Sequence, residues 1–304
     1  MITLSWGRTS ILIGAAALSC LPVWVNAAAK PKSWNINVDT GGYFDTNLSK
    51  ALWQRDTVED EAGYLNANFT YEWEPSRYSL LSASLIAQTE QFDTVTALNS
   101  TSFGGEVALG WQSDFGFLAP FYRFSLKALR KESENSARSS DIYNFQAFVT
   151  RRVTTKITGR LGYNYKLQDA EHEVFDVEEH RAFANFDYLW SDRFVTYFTA
   201  GYSEGDIYSV AQGTFCNGLA ADDIYPFIKY SEVIWRDSGF NQHFCGDWFA
   251  YRMNAETTTF TLGANFAYDH RISFDISVLD VDSEVSDWIR YERQILRAGM
   301  LMRF

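Results

Sequence analysis

The sequence predicts an all-β protein, a transmembrane antiparallel up-and-down β-barrel of about 12 strands. Alternation of apolar and polar residues with a period of two recurs along the whole chain after its N-terminal segment. Short and longer polar connections separate these stretches in turn. Aromatic residues make up 17% of the sequence, yet no later stretch has the roughly 20 consecutive apolar residues of a membrane helix.

A barrel accounts for these observations together. Its strands alternate lipid-facing apolar residues with lumen-facing polar ones, so the average composition stays moderately polar. Only helices and closed barrels pair every backbone group within lipid. A water-soluble β-sandwich is the alternative, but it gives no reason for the order of short and long connections.

Each predicted strand is defined by the apolar residues on one side of its alternation. In chain order these residues are Trp34, Ile36 and Val38; Leu65, Ala67, Phe69, Tyr71 and Trp73; Leu81, Ala83, Leu85 and Ala87; Val107, Leu109 and Trp111; Tyr122, Phe124, Leu126 and Ala128; Tyr143, Phe145, Ala147 and Val149; Ile157, Leu161, Tyr163 and Tyr165; Ala182, Ala184, Phe186, Tyr188 and Trp190; Phe194, Phe198, Ala200 and Tyr202; Phe260, Leu262, Ala264, Phe266 and Tyr268; Ile272, Phe274, Ile276 and Val278; and Leu296, Ala298, Met300, Met302 and Phe304.

An even number of strands places both termini on the same side, which we expect to be the periplasm. The tight connections near residues 75, 115, 153, 192 and 270 then face the periplasm, and the longer ones near 55, 95, 135, 173, 230 and 284 face outside. Aromatic residues beside the tight connections would form an interfacial girdle. They are Trp34, Trp73, Trp111, Trp190, Phe194, Tyr268 and Phe304.

The N-terminal segment, residues 1–29, has the pattern of a secretory signal peptide. Arg8 precedes an apolar stretch from Ile11 to Val25, and three alanines follow at 27–29. Cys20 lies in the apolar stretch, where lipidation is the alternative to removal with the signal. The remaining residues, 30–304, are predicted to form one barrel domain.

A long extracellular loop at about 205–255 is the one irregular part of the predicted barrel. It is rich in aromatic residues and contains the only two cysteines that follow the signal peptide, Cys216 and Cys245. In an oxidising compartment such a pair predicts a disulfide. The bridged loop either constricts the mouth of the barrel or forms a protease-resistant surface cap.

The last strand resembles the C-terminal signature of bacterial outer-membrane β-barrels, in which a final aromatic residue closes an alternating strand. Here Phe304 ends that strand. The resemblance implies a bacterial outer-membrane location, contact with membrane lipid and lipopolysaccharide, and recognition of the Phe304 strand by the barrel-assembly machinery.

Charged residues with the lumen-facing parity are predicted to line the pore. A basic wall and an acidic wall opposite it suggest anionic solutes, because rings of charge set which ions pass. Structural neutralisation that plugs the lumen is the alternative. The basic residues are Arg123, Lys127, Lys156, Arg160, Lys166 and Arg181, with Arg297 and Arg303 on the last strand; the acidic residues are Asp39, Asp45, Glu72 and Glu106.

Two further resemblances concern the family. The lumen charge and strand count resemble the arginine-lined, twelve-stranded channels for acidic oligosaccharides. The stretch at 41–51, GGYFDTNLSKA, resembles the pattern that opens a loose group of outer-membrane β-barrel porins, some of them associated with exopolysaccharide export. Gly41 and Gly42 equally suit a strand kink or bulge.

The formal net charge is −12, and we expect most of it in the outer loops. Binding of nucleic acid needs concentrated positive charge, so we expect no nucleic-acid partner. Carboxylates hold Ca²⁺ in some proteins, but these lack ordered ligand spacing, and we expect a solvated, lipopolysaccharide-facing surface. They are Asp56, Glu59, Asp60 and Glu61; Glu171, Glu173, Asp176, Glu178 and Glu179; and Asp280, Asp282, Glu284 and Asp287.

We expect no catalytic residue, metal or cofactor. Of the four histidines, His172, His180, His243 and His270, only His180 lies where a lipid-modifying hydrolase would place its base, beside Glu178. The predicted function is passive diffusion of small hydrophilic solutes, including anions and acidic sugars. The alternative is the barrel component of an exopolysaccharide or surface-assembly export system with a periplasmic partner, and a lipid-modifying hydrolase comes third.

Overall fold

The computed structural model describes residues 33–114, 116–286 and 289–304, and the predicted signal peptide lies outside them. Thirteen strands form one antiparallel sheet. They are β1 (Ser33–Asp45), β2 (Asp60–Ser76), β3 (Ser79–Phe92), β4 (Ser100–Gln112), β5 (Phe121–Ser133), β6 (Ser140–Arg152), β7 (Ile157–Ala170), β8 (Val177–Ser191), β9 (Phe194–Thr214), β10 (Val233–Arg236), β11 (Asp247–Ala267), β12 (Ile272–Ser286) and β13 (Ile289–Arg303).

Twelve of these strands close into a barrel, as the sequence predicts. Each strand pairs with the next, β9 pairs directly with β11, and β13 pairs with β1. The short β10 stands outside this ring and covers the edge of β11 at Phe249 to Arg252. Closure leaves every barrel strand with two neighbours, which removes the exposed sheet edges that lipid could not accommodate.

The seam between β1 and β13 joins the first and last strands of the described part of the chain. Ile36 N–H donates to the carbonyl of Phe304 at 3.1 Å, and Phe304 N–H donates back to Ile36 at 2.9 Å. Farther along the seam Gly41 lies opposite Gly299. A Cβ atom at Gly41 would lie 2.2 Å from the carbonyl oxygen of Ala298, so this close approach of the two strands requires glycine.

A belt of exposed apolar side chains surrounds the barrel. Leu85, Val107 and Leu126 are each more than half exposed, at 57%, 58% and 59%. A surface of this kind is stable only in hydrocarbon, so the barrel belongs in a membrane, and closed antiparallel barrels of this type are found in the bacterial outer membrane. The aromatic residues of the predicted girdle are also exposed, and they lie at the end that carries the tight turns: Trp34, Trp73, Trp111, Trp190, Phe194, Tyr268 and Phe304.

The two ends of the barrel differ. The end with the tight turns, where β1 begins and β13 ends, is here called the turn end. The other, the loop end, carries the connections 46–59, 93–99, 134–139, 171–176 and 215–246, each with a single turn of 3-10 helix. These turns are Gln54–Asp56, Thr96–Leu98, Ser136–Arg138, Glu173–Phe175 and Asp222–Ile224.

Two expectations for the acidic loops are wrong. Asp280, Asp282 and Glu284 belong to β12, which is separated from β13 by residues 287–288 alone, so no long acidic loop exists there; Asp287 lies outside the described residues. They point outward above the apolar belt, where a polar strand surface resembles a loop in sequence. Asp56 and Asp60 are buried rather than solvated. Asp60 accepts the Val95 amide hydrogen at 2.8 Å.

The β9–β11 pair extends beyond the barrel wall as a ribbon. Pairing of β8 with β9 ends at Gly205, and pairing of β11 with β12 begins at Glu256. Gly205 has a φ of 152°, and a Cβ there would lie 2.1 Å from the Glu178 carbonyl oxygen. The irregular part of the predicted 205–255 loop is therefore only 215–246.

The buried core lies at the loop end, on both faces of this ribbon. On one face Val210 and Trp248 pack with the bridged loop and with the connections between other strands. On the other face Tyr251 and Met253 pack against Phe227 and the start of β13. A packed apolar layer therefore lies at the loop end. The first cluster comprises Val58, Val95, Val174, Phe175, Val210, Phe240, Trp248 and Ala250; the second comprises Ala211, Phe227, Tyr251, Met253, Ile289 and Tyr291.

Two short helices belong to the bridged loop, α1 (Tyr225–Tyr230) and α2 (Ser238–His243). Among the described residues, no helix has the length and apolar character needed to cross a membrane.

Candidate functional site: the charged lumen

The seam holds the first of three ion pairs in the lumen. Arg297 Nη2 donates to the Asp39 carboxylate at 2.5 Å, and Arg297 Nε donates to the Tyr64 hydroxyl at 2.9 Å. The Tyr64 hydroxyl in turn donates to Asp39 at 3.1 Å. Two predicted pore-lining residues of opposite charge, Asp39 and Arg297, therefore neutralise each other directly.

The second pair lies nearer the loop end. Asp45 is fully buried, and Arg293 Nε donates to its two oxygens at 2.8 and 2.9 Å. The Arg293 Nη2 group also contacts Asp45. Sequence reasoning missed Arg293, although it shares the inward parity of Arg297 on β13.

The third pair shows how the basic and acidic walls are arranged. Arg123 on β5 donates to Glu106 on the neighbouring β4 at 2.7 Å. The two walls are therefore adjacent at this point, and the expectation that they lie opposite is wrong for Glu106. Asp39 and Glu72 do lie across the barrel from the β7 and β8 cations, because β7 is the sixth strand on from β1.

Several lumen cations have no carboxylate partner within the described ranges. Arg160 Nε donates to Thr150 Oγ1 at 3.2 Å, and Arg181 Nη2 donates to Thr259 Oγ1 at 3.0 Å. Among the ion pairs of these ranges, none includes Lys127, Arg160, Lys166 or Arg181. These four cations therefore form no direct ion pair with the carboxylates of the described lumen.

One residue of the predicted pore-lining set lies in a turn, whereas Glu72 lies on the strand predicted for it. Lys156 lies in the turn between β6 and β7, where it is exposed, so its assignment to the seventh strand is wrong. Glu72 lies near the turn end of β2, within 3.3 Å of the Ser33 hydroxyl that donates to it.

A chamber of about 240 Å³ lies beneath the apolar layer of the loop end. Its cations include Lys166, Arg181 and Lys50, the last of which belongs to the 46–59 connection and was not predicted. The Lys50 ammonium lies 4.0 Å from the centre of the Tyr208 ring. Burial in the lumen lowers the pKa of Lys50. The chamber is also lined by Glu179, Asp206, Ser203, Thr257, Thr259, Ser283 and Tyr291.

The predicted disulfide between Cys216 and Cys245 is present. It lies next to the end of the ribbon, where Asp247 pairs with Thr214. Beyond the bridge, Phe240 of α2 packs into the first apolar cluster together with Val58 and Phe175 from two other connections. The bridged loop is therefore packed onto the other loops across the mouth of the barrel.

In the part of the chain that the structure describes, no histidine is hydrogen-bonded to a serine, and Thr96 Oγ1 lies 3.1 Å from His243 Nε2. His243 Nδ1 contacts the Gly239 carbonyl at 2.8 Å, and His172 stacks on Trp235 with ring centres 3.9 Å apart. His180 lies exposed on the outer surface, with its Nδ1 atom 2.6 Å from the Tyr163 hydroxyl.

Comparison with known proteins supports the fold alone. No family model matches the sequence, and no curated protein matches it. Among solved structures, an outer membrane channel from Pseudomonas putida F1 is 11% identical, with 92% of this chain and 100% of that chain covered and a TM-score of 0.54. The β domain of the Bordetella autotransporter BrkA (8% identity, 90% and 100% covered, TM-score 0.47) and the KdgM porin (9%, 88% and 99%, 0.43) are more distant in structure.

Proposed function

We propose that the protein is a porin-like outer-membrane channel for passive diffusion of small hydrophilic solutes, with a preference for anions such as acidic sugars. One observation carries the proposal. The inward carboxylates Asp39, Asp45 and Glu106 are paired with arginines, whereas Lys127 and Lys166 have no such partner among the described residues.

The physical argument concerns the field inside a narrow lumen. A paired carboxylate and guanidinium largely cancel at a distance, whereas unpaired cations on low-dielectric walls raise the local concentration of anions. A twelve-stranded barrel lies between the filled eight-stranded barrels and the open porins of 16 or more strands, so passing solutes come close to its walls.

Ion selectivity tests this proposal. We expect the reversal potential of the purified protein in a planar bilayer, under a KCl gradient, to indicate anion preference. The double variant Lys127→Glu with Lys166→Glu should shift that potential toward cation preference. Lys156→Glu makes the same type of substitution at one position of an exposed turn and serves as the control. Equal reversal potentials for all three proteins would contradict the proposal.

An export or surface-assembly role is the second candidate, and the packed loop end favours it. The apolar layer includes Val174 and Phe240, which are 0% and 1% exposed. Such a barrel would stay silent until a periplasmic partner binds. This candidate predicts no conductance from the isolated protein, and it predicts conductance once the partner is added.

The orientation belongs to the same proposal. We place the turn end in the periplasm and the loop end toward lipopolysaccharide, with the Phe304 strand as the signal for the barrel-assembly machinery. The support is the seam that joins Phe304 to Ile36 and the exposed ring of Phe304, at 66%. A lipid-modifying hydrolase has less support, since His180 lies beside tyrosines rather than a serine in the part of the chain described.

A further inference from the structure

Lys50 is held in the lumen by a strained and tightly bonded segment. Its φ of 51° is the only positive value for a non-glycine residue in the described ranges. Such a conformation is unfavourable for a residue that has a side chain, and it persists only where its surroundings enforce it. Strain of this kind accumulates at ligand-binding positions, so Lys50 merits a functional explanation.

The neighbours of Lys50 enforce this conformation. The Asn47 side chain accepts the Ala51 amide hydrogen at 2.9 Å and donates to the Ala51 carbonyl at 3.0 Å. The Ser49 carbonyl accepts the Val210 amide hydrogen from the ribbon at 2.8 Å. With its ammonium above the Tyr208 ring, Lys50 is positioned as a fixed cation in the chamber.

The opposite wall of the chamber supplies two more cations. Lys166 comes from β7 and Arg181 from β8, the adjacent strand. Arg181 donates to Thr259 through Nη2, while its buried Nε group has no hydrogen-bond partner.

The rest of the lining is suited to hydroxyl groups. Glu179 and Asp206 accept hydrogen bonds, and Ser203, Thr257 and Ser283 both donate and accept. Two tyrosines, Tyr208 and Tyr291, add ring surfaces. At about 30 Å³ per water molecule, the chamber volume of about 240 Å³ suits one sugar-sized molecule rather than an extended chain.

We propose that this chamber is a discrete binding site for a small polyhydroxylated carboxylate, with Lys50, Lys166 and Arg181 on the carboxylate and Glu179 on hydroxyl groups. The proposal deepens the channel function proposed above and rests on it, because the ligand has to reach the lumen. A discrete site would make binding of the solute saturable. Charge preference alone would not produce saturation.

Equilibrium binding tests the site without any conductance measurement. We expect glucuronate to bind the purified full-length barrel in detergent saturably, as measured by isothermal titration calorimetry, and neutral glucose to bind at least tenfold more weakly. Lys50→Met and Arg181→Gln should each weaken glucuronate binding at least tenfold. Lys156→Met removes an exposed cation of the turn between β6 and β7, outside the chamber, and should leave binding within twofold of the unaltered protein.

The outcomes separate this site from the channel. All variants must first show the heat-dependent mobility of the folded barrel in gel electrophoresis. Absence of saturable glucuronate binding, or equal weakening by Lys50→Met and Lys156→Met, would overturn the site even if the barrel conducts anions. Binding with the expected variant pattern in a barrel that does not conduct would support the site and refute the channel.

Discussion

Arg138 and Asp237 form an ion pair between two connections that are 99 residues apart in sequence. Arg138 Nη2 lies 2.5 Å from the Asp237 carboxylate, and their side chains are only 8% and 0% exposed. Asp237 also accepts the amide hydrogens of Gly239 and Phe240 at the start of α2. The guanidinium lies 4.1 Å from the centre of the Phe175 ring. The pair therefore ties the bridged loop to the other connections of the loop end.

Breaking this pair should loosen the bridged loop. Arg138→Gln leaves the Asp237 charge buried and unpaired, which costs about 3–5 kcal/mol. We expect faster cleavage of residues 215–246 by protease while the heat stability of the barrel stays unchanged.

The control is Arg236→Gln, which breaks the exposed pair of Arg236 with Asp247, with side chains 64% and 38% exposed. Exposed pairs contribute little. If Arg236→Gln accelerated cleavage as much as Arg138→Gln, burial of the pair would not be what anchors the loop.

The disulfide is expected to stabilise the loop without controlling the lumen. Closing a loop of this length, with a sequence separation of 29, contributes about 3–4 kcal/mol. Because the ribbon and Lys50 lie on the barrel side of the bridge, Cys216→Ser with Cys245→Ser should increase proteolysis of 217–244 but leave conductance unchanged. A clear rise in single-channel conductance on reduction would show instead that the bridge holds a constriction closed.

The seam depends on the absence of a side chain at Gly41. A methyl group in Gly41→Ala would overlap the Ala298 carbonyl oxygen, and overpacking of this kind costs about 1–3 kcal/mol. We expect a lower temperature for the electrophoretic shift from folded to unfolded barrel. Gly63→Ala on β2 is the control, since its nearest contact would be an ordinary 4.0 Å. Equal shifts for the two variants would argue against close packing at the seam.

Asp56 should make packing of the 46–59 connection depend on pH. Burial raises the pKa of Asp56 to about 6, opposed by the Arg55 guanidinium, and Asp223 and Tyr251 also face it. Because this folded-state pKa lies above the ordinary 3.8, the folded connection binds the proton more tightly than the unfolded one. Its stability should therefore fall as pH rises from about 4 to 6, by at most about 3 kcal/mol.

Hydrogen exchange of the 46–59 amides at pH 4.5 and 7.5, corrected for the intrinsic pH effect, measures this dependence. Asp56→Asn should abolish it and protect the connection at pH 7.5. Asp93→Asn replaces an exposed loop carboxylate and should change neither value. The same pH dependence in Asp56→Asn would assign it to another group.

The barrel strands could be predicted because each has one face in lipid and one in the lumen, as in Leu81 to Ala87 of β3. The ribbon could not, because Val210 and Tyr251 are buried on opposite faces and no alternation remains. The outward carboxylates of β12 resemble a loop for a different reason, since the outward face there is polar although Val281 and Val285 point inward.

The site was only partly predictable from parity. Inward parity correctly places both Asp39 and Arg297 in the lumen. It does not show that these two charges pair with each other. Lys156 fits the parity and yet lies in a turn. Lys50 lies in a connection without an alternating pattern. Its position depends on the hydrogen bonds that Asn47 and Val210 make to its two neighbours, and the sequence does not reveal these bonds.

Single-channel recording of the purified full-length protein, alone in a planar bilayer with a salt gradient, tests the central claim most directly. The account predicts steady conductance with anion preference, produced by the lumen cations that lack carboxylate partners. A silent barrel that conducts only after a periplasmic partner is added would contradict it and favour the export role.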